Sequence, residues 1–98
     1  MRKTPRQIVD EFVGSDEALV ADSSMALAKS LRPGGYRVAE VNDHLKKALK
    51  GNRLFSFVND AGQTVFETRT ARLRRLELPK GTSRRRLLQA SREMAVVS

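Results

Sequence analysis

The chain has 98 residues, a length for one domain rather than two, with 40% apolar residues and only 5% aromatics, so its core must be built mainly of Leu, Val and Ala. It contains no Cys, which excludes disulfides and thiolate metal sites and fits a reducing, cytoplasmic setting. The formal net charge is +8, which points to polyanionic partners, and no apolar run approaches the ~18–20 residues that span a membrane.

The predicted elements begin with a short helix over "TPRQIVDEFVG". Thr4 is placed as N-cap, Pro5 at the first helical position and Gln7 three residues after the cap, a capping box. Ile8, Val9, Phe12 and Val13 form its apolar stripe, and Gly14 ends it. The basic start of this segment gives way to Asp10 and Glu11 without an apolar stretch, so it does not read as a signal peptide.

"SDEALVADSSMALAKSL" is expected to be a second helix, capped by Ser15, with Asp16 and Glu17 in the first turn. Asp22, Ser23 and Ser24 weaken its middle, where the helix could begin again. Leu19, Val20, Ala26, Leu27 and Leu31 supply its apolar face, and Lys29 and Arg32 suit its C-terminal end. "RPGG" at 32–35 reads as a turn. A third helix follows from Tyr36 to Lys50, with Val38, Val41, Leu45, Ala48 and Leu49 on one face and Gly51-Asn52 as its stop.

The period then changes. Phe, Val and Thr on either side of "NDAG" predict a hairpin with arms near 54–59 and 63–72, turning at Asn59-Asp60 with Gly62 in a bulge position. Pro79 and Gly81 break the chain again. Thr82 or Ser83 then caps a C-terminal helix docked by Leu87, Leu88 and Met94. Its apolar stripe is thin and Arg84 to Arg86 are consecutive, which leaves open an arm that orders only on a partner. The fold class is therefore α+β: a helical N-terminal half, a β-hairpin and a C-terminal helix. Residues 1–80 form one helix-plus-hairpin domain, and residues 81–98 form a basic helix or arm.

Little here suggests an enzyme. His44 is the sole histidine, no serine sits in a nucleophile elbow, and Asp10-Glu11 and Asp16-Glu17 are adjacent pairs that point in different directions on a helix. No metal site or cofactor is implied. The charge is more informative. Residues 1–50 hold nine bases and seven acids, while residues 51–98 hold ten bases and four acids. Thirteen of the nineteen bases are Arg, whose planar fork suits phosphates, although an Arg-rich codon bias would give the same count.

Two basic regions stand out. Lys46, Lys47, Lys50 and Arg53 give the third helix a basic side, and Arg69, Arg72, Arg74 and Arg75 fall on the outgoing hairpin arm. Three helices followed by a two-stranded ribbon resembles, in element order alone, a winged-helix DNA-binding module. That likeness implies a third helix in the major groove and a wing on the backbone. The order departs from the common pattern, which has a small strand between the first two helices. On the arm, Arg69, Ala71, Leu73 and Arg75 alternate with Thr68, Thr70, Arg72 and Arg74. This describes a half-covered ribbon contacting phosphates, or an edge strand guarded by Arg. Tyr36, Phe55, Phe57 and Phe66 are either core or a stacking platform for bases.

The sequence thus predicts a small DNA-binding protein, most simply a dimeric transcriptional regulator, in which Arg84, Arg85 and Arg86 add a phosphate clamp. An RNA-binding, ribosome-associated factor and an adaptor or inhibitor for an acidic protein are the alternatives.

Overall fold

In the computed structural model, which describes residues 3–31 and 38–97, eight elements follow in order. They are α1 (Pro5–Val13), β1 (Ala18–Val20), α2 (Ser24–Leu31), α3 (Val38–Lys50), β2 (Leu54–Val58), β3 (Thr64–Thr68), α4 (Arg69–Arg75) and α5 (Arg84–Val97). The fold is α+β. The strands form one antiparallel sheet in the order β1-β3-β2. Residues 32–35 and Tyr36, read above as a turn and the start of α3, lie outside the described residues.

α1 starts as its sequence dictates. Thr4 accepts from the Gln7 amide, and the Gln7 side chain accepts from the Thr4 amide at 2.8 Å. The second element differs from expectation. Residues 18–20 form a strand, and the helix begins at Ser24 with Ser23 as its cap, where Ser23 Oγ accepts from the Ala26 amide at 3.1 Å. Ser15 ends α1 instead of opening α2: its hydroxyl donates to the Phe12 carbonyl at 2.6 Å. The reason is tertiary. β1 pairs Ala18, Leu19 and Val20 with Glu67, Phe66 and Val65, giving an edge of β3 its hydrogen-bond partners. With β1 present, the order is α1-β1-α2-α3-β2-β3, with a small strand between the first two helices that the sequence reading lacked.

α3 ends in a Schellman motif. The Arg53 amide donates to the Ala48 carbonyl and the Asn52 amide to that of Leu49, with Asn52 in the left-handed region at φ 56°. The hairpin turn is as predicted: the Gly62 amide donates to the Asn59 carbonyl, and Gly62 takes φ 78°. Asn59 Oδ1 locks the turn by accepting from the Ala61 and Gln63 amides.

The outgoing arm corrects the sequence reading. β3 stops at Thr68, and Arg69–Arg75 is helix, so Arg69, Arg72, Arg74 and Arg75 do not lie on a ribbon. Thr68 Oγ1 accepts from the Ala71 amide at 3.2 Å and caps α4, and the Arg, Ala and Leu that follow are good helix formers.

Alternation along the strands divides the core in two. One face of the sheet carries Leu54, Phe66 and Leu19 against Val9 and Phe12 of α1, Leu27 of α2 and Leu45 of α3. The other carries Phe55 against Leu73 of α4 and Leu87 of α5, with Leu76, Leu78 and Leu88 around them. α5 is therefore docked on its own chain. Ser83 Oγ caps it by accepting from the Arg86 amide at 3.2 Å.

Candidate nucleic-acid interface

The sheet separates the predicted basic residues into two groups, because α3 packs on one face and α4 and α5 pack on the other. On α3, burial of Val41, Asn42, Leu45 and Ala48 turns Ala39, Glu40, Asp43, Lys46, Lys47 and Lys50 outward. The exposed side thus has acids in its first half and lysines in its second, the arrangement the helix dipole favours. Lys46, Lys47 and Lys50 have no carboxylate partner among the described residues.

Arg53, just after α3, reaches back to α1 and donates to Asp10 Oδ1 at 2.8 Å. That hydrogen bond is the chief cause holding the Asp10 carboxyl below its ordinary value of 3.8. Partial loss of hydration opposes it, and the Arg53, Arg6 and His44 side chains add to the lowering. Arg6, Asp10, His44, Lys47 and Arg53 line one shallow cleft of about 250 Å³. Arg6 and His44 thereby join two residues singled out from sequence. The Arg6–Asp10 spacing of four on a helix was a legible signal, but the approach of α1 to α3 was not.

The four arginines of the former ribbon have separate fates. Arg72 is buried, and its Nε donates to Glu67 Oε1. Arg75 donates to the same carboxylate from Nε at 3.0 Å and from Nη2 at 2.7 Å. Glu67 is 1% exposed, so one buried acid holds two guanidinium groups. Arg72 also lies 4.4 Å from the centroid of the Phe55 ring and Arg75 lies 4.0 Å from that of Phe57. Each stack covers one face of its ring, and Phe55 and Phe66 are buried in the core. Arg74 pairs with Asp16 at 3.1 Å, and Arg69, half-buried, donates to the Thr82 carbonyl. Glu67 was not foreseen, since a single acid in a strand pattern gives no sign of its partners one helix later.

The hairpin itself carries no base: residues 54–68 include Asp60 and Glu67 and neither Lys nor Arg. The positive charge begins at α4. Residues 1–68 hold ten bases and nine acids, a net of +1, while residues 69–98 hold nine bases and two acids, a net of +7. Within that segment Arg84, Arg85 and Arg86 are exposed on the first turn of α5, and among the described residues only Arg86 approaches a carboxylate, Glu93 at 3.8 Å. Three cations at the positive end of a helix dipole are unfavourable without a nearby anion.

No group of His, Asp and Glu side chains that could hold a metal occurs among the described residues, and no helix among them is long and apolar enough to cross a membrane. No family model, curated protein or solved structure matches the chain.

Proposed function

We propose that the protein binds duplex DNA as a small transcriptional regulator in the cytoplasm, with the second half of α3 toward the major groove and the first turn of α5 on phosphates. One observation carries this reading. The third helix of an α1-β1-α2-α3-β2-β3 unit presents Lys46, Lys47 and Lys50, all exposed and without a carboxylate partner among the described residues. Arg84, Arg85 and Arg86 add three exposed cations, while Arg72 and Arg75 are withdrawn to Glu67. The reading needs only one copy of the chain. Leu87 and Leu88 pack against Phe55 and Leu73 of the same chain, and a homodimer would form through other surfaces.

Six exposed bases neutralising six phosphates give a log–log salt slope of about −5. Replacing Lys46 and Lys47 with Ala is expected to weaken binding and narrow the gap between preferred and random duplexes, as loss of groove contacts does. Replacing Arg84, Arg85 and Arg86 with Ala weakens both duplexes alike and flattens the slope. Fluorescence anisotropy at several salt concentrations, on duplexes selected from a random pool, reads both effects. Undiminished affinity in both variants would defeat the proposal.

One observation favours a second reading, RNA binding. The greatest net charge lies on α4 and α5, outside the helix and wing that would read a groove. Competition between duplex DNA and structured RNA of equal length separates the two.

A further inference from the structure

A cleft of about 390 Å³ opens between the end of α1 and α4, closed at one side by the loop before α5. Its volume falls in the range of about 300–1,000 Å³ that small-molecule sites occupy. Arg69, Arg74 and Lys80 line it, with Asp16 as its single acid. Asp16 is already held by Arg74 at 3.1 Å. Two positive charges therefore remain without a counter-charge among the lining residues.

The two are not equivalent. Lys80 is exposed and has no carboxylate partner among the described residues. Arg69 is half-buried, and its one hydrogen-bond partner among the described residues is the Thr82 carbonyl. A guanidinium carries five N–H donors, so a partly desolvated Arg69 keeps donors for an anion. Removing such a cation from water without an opposing charge is unfavourable, and an anion in the cleft relieves it. Thr70 lines the same cleft, and its hydroxyl makes no hydrogen bond among the described residues.

We propose that this cleft binds a phosphate monoester, with Arg69 and Lys80 neutralising the phosphate and Thr70 donating to one of its oxygens. The charge selects the ester. A monoester carries about −1.5 to −2 at neutral pH and matches the two uncompensated cations, whereas an internal phosphodiester carries one negative charge. The monoester is either that of a free nucleotide-sized molecule or the 5′ phosphate of a nucleic-acid strand. The site uses none of the side chains on which the duplex reading rests, so either can fail without the other.

The test is a titration of the ¹⁵N-labelled full chain, followed by NMR, with adenosine 5′-monophosphate, adenosine, and short single strands bearing a 5′ phosphate or a 5′ hydroxyl. The monophosphate is expected to shift the amides of Gly14 to Asp16, Thr70 and Lys80 in a saturable manner, and adenosine to leave them in place. Lys80→Glu, at an exposed position that leaves the fold intact, lowers affinity by about tenfold or more, and Lys80→Arg retains it. The two strands identify the source. Tighter binding of the 5′-phosphorylated strand, with shifts at the cleft, identifies a strand end; equal weak binding of both strands beside a tighter monophosphate identifies a free ligand. Shifts confined to Arg84–Arg86, equal shifts with adenosine, or unchanged affinity in Lys80→Glu would overturn the proposal.

Discussion

Replacing Glu67 by Gln isolates the charge at the centre of the α4 attachment. The amide keeps the size of the carboxylate and one acceptor oxygen, but it no longer neutralises two guanidinium groups. Their surroundings decide the cost. The Arg75 side chain is 37% exposed and can recover hydration, whereas that of Arg72 is 9% exposed and lies over the Phe55 ring of the sheet. The loss is therefore that of one uncompensated buried charge, for which breaking a buried pair costs about 3–5 kcal/mol. The retained oxygen of Gln places the value near the lower end, about 3 kcal/mol. A domain of this size has about 5–10 kcal/mol in total, and its melting temperature moves by about 4 °C or more per kcal/mol, so a fall of at least about 12 °C is expected. Urea titration and thermal melts followed by circular dichroism measure it. The loss should change little between low and high salt, since buried pairs are screened less than surface ones. Glu67→Leu combined with Arg72→Met and Arg75→Met should recover most of the stability, because well-packed apolar groups replace a buried ion cluster at little cost. A Glu67→Gln loss below about 1 kcal/mol would mean that Arg72 is effectively hydrated, and the account of α4 docking would fail.

Three further outcomes follow from individual residues. Glu77 ends α4 in a Schellman motif at φ 57°, with the Leu78 amide donating to the Leu73 carbonyl, so Glu77→Gly should stabilise the fold by about 0.5–1 kcal/mol in urea titration. Leu87 is fully buried between Phe55 and Leu73, so Leu87→Ala should cost about 2–5 kcal/mol and loosen α5 first, seen as faster amide exchange there than in α1. For Asp10 the folded carboxyl lies below its ordinary value of 3.8, so its stabilising contribution is present above that pH and is lost as pH falls through the lowered value. The wild type should then be more stable than Asp10→Asn at pH 7, with the gap closing only below the ordinary value; melting curves across acid pH check this, and a gap that persists in strong acid would refute it.

Parts of this protein are legible in the sequence because their causes are local. The α1 capping box needs only Thr4 and Gln7, the hairpin needs Asn59 and Gly62, and the buried side of α3 repeats every three or four residues. Ser83 and Leu87 similarly mark the start and the docking side of α5. The basic side of α3 was legible for the same reason: once its buried residues are known, Lys46, Lys47 and Lys50 have nowhere to point but outward. The start of α4 also has a local signal. After Thr70 the β-branched residues stop, and the run from Ala71 to Leu76 is made of helix formers, which marks α4 behind its cap Thr68.

The rest depended on partners distant in sequence. Residues 18–20 have the composition of a helix segment, yet they form a strand because the free edge of β3, more than forty residues later, needs hydrogen-bond partners. Arg72 and Arg75 look like surface cations in any reading by composition. Only the folding of α4 back over the sheet brings them to Glu67, where a buried acid and two aromatic faces hold them. Charge is countable along a chain, but its availability to a partner is set by which opposite charges the fold places within hydrogen-bond reach. That is a property of three-dimensional distance, and tertiary structure alone decides it.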